Sequence, residues 1–290
     1  MNLGSMKAWQ GNSETAGLAV LRPGWTGSDA RLTVRYGERQ LQTELIRGRT
    51  LLWSGNWQPE VRLDGEVLDA ASSWKNVCWV SDDDADYLEL EQKLTGAARL
   101  QRHVLLARHD RFLFVADAVI CKRPKAIAYR GPTPLAANVR FTAASETNEG
   151  LLASPSGHRR HALVLPLALP EWRSAGTRGD GLAFDGGQLE LRQSAIAARA
   201  LFAPLFIDFA PRRLARPATW RRLTVAQDRR IVQAEVAVGY RAQVGAQQWL
   251  FYRSLGPPGS RTLLGHHLVT EFLAARFFRD GQVEPIMEIE

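Results

Sequence analysis

From Leu18 onward the sequence breaks into apolar segments of strand length separated by Gly, Pro, Asp and Asn clusters. Short runs bounded by turn formers leave little room for any class but all-β. Residues 31–36 (RLTVRY) alternate, placing Leu32, Val34 and Tyr36 on one side and Arg31, Thr33 and Arg35 on the other. Residues 87–91, 188–192 and 232–238 do the same. A period of two over such lengths sets one face on a core and the other in solvent. Residues 112–120 (FLFVADAVI) are instead apolar at odd and even positions, which predicts a central strand covered on both faces.

Further strands are predicted near residues 49–54, 60–63, 74–81, 98–106, 127–131, 161–165, 198–206, 220–225, 248–254, 261–264, 275–278 and 283–289. No helical pattern persists beyond about two turns. Residues 268–278 are the best helix candidate, against a competing extended reading. So many strands in one unbroken pattern predict a large antiparallel β-sandwich of supersandwich type, either one sandwich or two fused edge to edge. Residues 1–15 read as a tail and residues 16–290 as a single domain, with a looser stretch at 135–160 as the candidate seam.

The formal charge is +7, and 32 of the 37 basic residues are Arg. Guanidinium groups offer two-pronged donors that fit carboxylate, sulfate or phosphate oxygens, so acidic partners are favoured; a GC-rich genome would give the same bias without function. The longest uncharged apolar run, Phe112–Ala116, is far short of a spanning helix, and no membrane partner is expected. Residues 1–15 carry no apolar run of signal type. The expected location is the cytoplasm, or the periplasm or exterior if the chain belongs to a longer exported one. Cys78 and Cys121 lie in strand-like apolar runs and read as small buried hydrophobes.

Three consecutive segments carry a family likeness: residues 86–91 (DYLELE), 98–107 (ARLQRHVLLA) and 110–117 (DRFLFVAD). Together they resemble the C-terminal sandwich of heparinase II/III-type polysaccharide lyases, in which an Arg-containing strand turns into an apolar strand ending in Asp. The corresponding positions are Arg102, the turn at residues 108–111 and Asp117. Residues 17–22 and 49–55 look like earlier strands of that sandwich, and the likeness covers roughly residues 17–120. The family places an α/α toroid before the sandwich, and nothing here corresponds to it. Its short His-x-His segment near the first strands is also missing, since no His precedes His103.

The resemblance implies an acidic polysaccharide as partner and, in an enzyme, β-elimination on uronic-acid units. Such chemistry needs a base, a proton donor and positive charge against the enolate-like intermediate. His103, Tyr87 and Arg102 are the candidate catalytic group. The competing reading pairs Arg102 with Glu89 or Asp117 and leaves His103 in solvent. For substrate binding the candidates are Arg31, Arg35, Arg221 and Arg222, with Trp57 as the exposed ring for stacking a sugar face. Most other tryptophans of a sandwich belong to the core.

Residues 212–230 hold seven arginines against Asp228, but no recognised nucleic-acid fold accompanies them, so nucleic acid is not the expected partner. Asp82, Asp83, Asp84 and Asp86 fall between two predicted strands and read as a solvated hairpin tip rather than a calcium loop. The pairs His158/His161 and His266/His267 do not match a zinc site. No metal and no cofactor are expected. The favoured reading is a carbohydrate-associated sandwich that binds or positions an acidic polysaccharide beside a toroid domain or chain. A polysaccharide lyase, or the sandwich half of one, and a structural packing domain are the alternatives.

Overall fold

A computed structural model describes residues 11–23 and 29–290. Its elements are antiparallel strands, joined among the described residues by one short 3-10 turn at Arg173–Ala175. Four sheets result. A front sheet runs in chain order through Gly11–Ser13, Leu18–Leu21, Ala30–Arg35, Gln42–Arg47 and Thr50–Asn56. A central sheet of eleven strands is built around the long pair Phe112–Pro134 and Gln188–Asp208. On one side of that pair lie Ala98–Ala107, Ala85–Lys93 and Lys75–Ser81; on the other lie Arg160–Pro166, Gly150–Ala153 and Arg140–Ala143. Its far half also carries Gly181–Asp185, Glu60–Leu63 and Glu66–Val67.

A back sheet joins Ala218–Leu223, Ala237–Val244, Gln247–Ser254, Phe272–Phe277 and Val283–Ile289. A small outer sheet joins Arg230–Ile231, Val225–Gln227, Arg261–Leu263 and His266–Leu268.

The two-faced strand at 112–120 explains the stacking. Leu113, Val115 and Val119 enter one core with Leu32, Leu45, Leu52 and Trp53 of the front sheet. Phe112, Phe114, Ala116 and Ala118 enter a second with Tyr240, Trp249, Phe251 and Phe272 of the back sheet. There Phe114 stacks on Phe251 with centroids 4.5 Å apart, and Trp249 meets Phe112 edge-on at 5.6 Å. A third core, with Val225, Tyr252, Leu263 and Leu273, seals the back sheet against the outer one. The two sandwiches therefore share a central sheet face to face rather than meeting edge to edge.

Residues 272–277 form a strand, not a helix. Phe272 and Ala274 face one core while Leu273 and Ala275 face the next, so positions 272–275 are all apolar and the period is hidden. In 232–238 only Ala237 and Val238 are in a strand, because Val236 N–H closes a turn onto the Gln233 carbonyl. Residues 1–10 of the predicted tail lie outside the described residues, and Gly11–Ser13 pairs with Leu18–Leu21. The 135–160 stretch supplies two strands of the central sheet.

Candidate functional site

Register decides which of the predicted catalytic residues meet. His103 lies opposite Glu89 and Leu105 opposite Tyr87, so Tyr87, Glu89 and His103 share the face turned to the back sheet. The Tyr87 hydroxyl donates to Glu89 Oε2 at 3.0 Å and sits 2.9 Å from His103 Nδ1. Arg253 reaches in from the back sheet to Glu89 Oε1 at 3.2 Å. Tyr87 and His103 are both 0% exposed. Neither faces solvent or lines a concavity, and His103 Nε2 has no hydrogen-bond partner. Burial pushes the Tyr87 phenol well above its ordinary range, with Glu89 adding to it. Burial and the Arg253 charge hold His103 below its ordinary range. A protonated phenol and a neutral imidazole are thus sealed between two sheets.

Arg102 points the other way. Its guanidinium grips Asp117 at 2.7 and 2.6 Å, a two-pronged pair 2% and 1% exposed, as the ion-pair reading expected for Asp117. Asp117 also accepts the Tyr129 hydroxyl at 2.6 Å. The guanidinium lies 4.3 Å from the Trp57 ring centroid and 5.7 Å from that of Trp74, and it donates to the Trp57 carbonyl. Gly131 completes this packing, since a Cβ there would stand 2.2 Å from the Tyr129 hydroxyl.

Trp57 is therefore not an exposed sugar platform: it is 4% exposed. Its N–H bonds to the Leu41 carbonyl, which turns the segment after Asn56 inward, where the ring covers a buried cation. Trp53, Trp74, Trp220 and Trp249 are buried too. Among the described residues the exposed tryptophan is Trp172, 52% exposed, ahead of the 3-10 turn.

The predicted binding arginines fall on different layers. Arg31 and Arg35 lie on the front sheet, Arg31 3.9 Å from Glu44. Arg221 and Arg222 are neighbours on an edge strand of the back sheet, opposite Arg241 and Tyr240, and adjacent strand residues face opposite sides. The central sheet lies between the two pairs. In the acidic loop, Asp82 accepts the N–H groups of Asp84 and Ala85, Asp84 pairs with Arg276 at 2.7 Å, and buried Asp86 pairs with Arg108 at 2.7 Å. These carboxylates shape a turn and tie sheets together. His267 meets the Ser260 hydroxyl and His266 the Gly281 carbonyl.

A cluster that sequence reasoning did not assemble lies where the front and central sheets meet. Strands Phe112–Pro134 and Arg160–Pro166 flank the same end of Gln188–Asp208, since Phe112 and Leu163 both pair with Asp208. Arg111 and Arg159 are exposed there, while Arg160 donates to the Leu214 carbonyl at 3.2 Å. Arg47 joins them from the front sheet, its Nη1 donating to the His161 carbonyl at 2.5 Å. Burial, then the charges of Arg159 and Arg111, pull the Arg47 guanidinium below its ordinary range. Burial, then Arg159 and Arg47, do the same to His161. Asp208, whose charge acts on Arg47, is already held two-pronged by Arg213 at 2.7 Å. Among the described residues none of Arg47, Arg111, Arg159 and Arg160 forms an ion pair with a carboxylate. Unneutralised guanidiniums crowded at one end attract a polyanion and lose their mutual repulsion when it binds.

No family model matches the chain, and no curated protein does. Solved structures do. A heparan sulfate lyase, HepC from Pedobacter heparinus, superposes with a TM-score of 0.58 at 10% identity, over 83% of this chain and 42% of its own. A heparinase III, the BT4657 gene product, gives 0.55 at 10% identity over 86% and 43%. A further heparinase III gives 0.51 at 11% identity over 83% and 42%. The fold resembles that of the heparinase III-like proteins. The likeness extends well past residues 17–120, and the chain spans less than half the length of the structures it matches. No helix among the described residues is long and apolar enough to cross a membrane.

Proposed function

We propose that this chain binds and positions an acidic polysaccharide, as the sandwich partner of a catalytic α/α-toroid domain or chain and in the place of a heparinase C-terminal sandwich. The observation that carries the reading is the cluster of Arg47, Arg111 and Arg159, none of which is paired with a carboxylate among the described residues. Its guanidiniums suit the carboxylate and sulfate groups of such a polymer. The fold likeness to a heparan sulfate lyase, over less than half of that protein, supports a part that works beside other parts. Binding is favoured over elimination because Tyr87 and His103 are closed off between sheets and Arg102 faces away from them. The exposed Arg221 and Arg222 face opposite sides of an edge strand and would add weaker, separate contacts.

The test is salt elution from immobilised heparin together with titration in solution. The Arg47→Ala/Arg159→Ala double variant is expected to bind about 10-fold or more weakly, the loss of one or two charge-assisted contacts. The Arg221→Ala/Arg222→Ala variant should lose less. Equal affinity for all three proteins would overturn the assignment, and tighter binding to single-stranded DNA than to heparin would replace the polysaccharide with nucleic acid.

A further inference from the structure

A concavity of about 280 Å³ lies on the far half of the central sheet, away from the arginine cluster in the fold. Its wall is an arrangement that sheet stability does not favour. Arg130 and Arg192 are direct cross-strand partners, and like charges placed opposite each other destabilise an antiparallel pair. One buried carboxylate serves both. Glu190, 1% exposed, accepts Arg192 Nη2 at 2.7 Å and Nε at 3.1 Å through Oε2, and Arg130 through Oε1. A single negative charge balances one of the two guanidiniums.

Glu60, the direct cross-strand partner of Arg130, and Asp180 add two carboxylates to the lining against Arg62 and Arg178, so with Glu190 four guanidiniums meet three carboxylates and the surplus rests on Arg178. Glu60 is occupied by Arg62 at 2.8 Å, and Asp180 accepts the Ser194 hydroxyl at 2.8 Å. Arg178, at the rim, forms no ion pair or hydrogen bond among the described residues. Ala128, Ser194 and Gly179 contribute little bulk, and a Cβ at Gly179 would meet nothing within 4 Å. The hollow is thus small-residued between guanidiniums that Glu190 pins in position, which reduces the side-chain entropy lost on binding.

We infer that this pocket is a subsite for one acidic sugar unit, its carboxylate or sulfate held by Arg130, Arg192 and Arg178 and its ring over Ala128 and Gly179. The volume lies just under the ~300 Å³ at which drug-sized pockets begin, which suits one ring rather than a length of polymer. In naming a sugar the inference rests on the polysaccharide reading; in naming an anion it rests on the arginines alone.

Calorimetric titration of the full chain with a sulfated uronate disaccharide, glucuronic acid, a neutral disaccharide and inorganic sulfate tests it. Both acidic sugars should bind and the neutral one should not. Arg178→Ala should weaken the acidic sugars about 10-fold, and Arg178→Glu should weaken them further. Arg178 is an exposed loop residue without partners, so both variants should keep the wild-type melting temperature. Unchanged affinity in both Arg178 variants would overturn the site. Sulfate binding as tightly as the sugars would overturn the sugar and leave a simple anion pocket. Disaccharide binding that persists while heparin retention fails would sink the polymer reading and leave this one standing.

Discussion

Replacing Asp117 by Ala is expected to lower stability by about 3–5 kcal/mol, the usual cost of stranding one member of a buried ion pair. For a domain of this size that means a fall in melting temperature of roughly 10 °C. The reason lies in the surroundings of Arg102. Its guanidinium is enclosed by Trp57 and Trp74 and depends on both Asp117 oxygens, and no water-facing route lets it relax. The Tyr129 hydroxyl loses its acceptor in the same step. Thermal melts of the variant beside an Arg102→Met/Asp117→Leu double variant check the mechanism, because removing both charges together should recover much of the loss. A loss below about 1 kcal/mol, the scale of an exposed pair, would contradict the assignment of Arg102 to the core.

Acid is expected to weaken the contact between the central and back sheets in two steps. Burial alone would raise the Glu89 carboxyl, but His103 once protonated in acid, the Arg253 charge and the hydrogen bonds from His103 and Tyr87 outweigh it and hold the group at about 2, below its ordinary 4.5. A depressed carboxylate stabilises fully above pH 4.5, and that stabilisation is lost as pH falls toward 2. The loss is on the order of 3 kcal/mol. His103 is also depressed below 6.5, first by burial and then by Arg253. Its folded state resists the proton that the unfolded chain accepts, so its contribution shrinks as pH falls below 6.5. Urea midpoints measured down the acid range should therefore fall first below 6.5 and again below 4.5. Glu89→Gln should remove the lower step while reducing stability at neutral pH, because buried Arg253 then keeps only the more distant Glu271, at 3.6 Å, as a charged partner. A flat profile through both steps would refute the interlayer role of this cluster.

Much of the architecture was legible because strand periodicity is local. The odd-and-even apolar run at 112–120 announced a sheet covered on both faces, and the cores that use its alternate residues bear that out. The same logic also separates Arg102 from His103, since neighbours on a strand face opposite sides. Grouping them as one catalytic set passed over a constraint the sequence already carried. What periodicity cannot supply is register and tertiary approach. That Tyr87 and His103 meet depends on which residues of two strands lie opposite one another. Trp57 stands in a Gly/Asn-rich segment that looks like an exposed turn, and its burial comes from distant partners, the Leu41 carbonyl and Arg102 beneath its ring. Arg159 and Arg160 read by themselves as a solvated turn. Their meaning comes from Arg47 and Arg111, brought from distant parts of the chain to the same end of the sheet.

We propose that this chain holds an acidic polysaccharide without cleaving it. Incubating the purified chain with heparan-type and other uronate polymers, while following both retention and the ultraviolet absorbance of unsaturated uronate products, tests it most directly. Retention that weakens with salt, with no rise in absorbance, is the predicted result. A rise in absorbance would place a working elimination site within these residues, and absence of retention on every acidic polymer would leave a packing domain; either would contradict the claim.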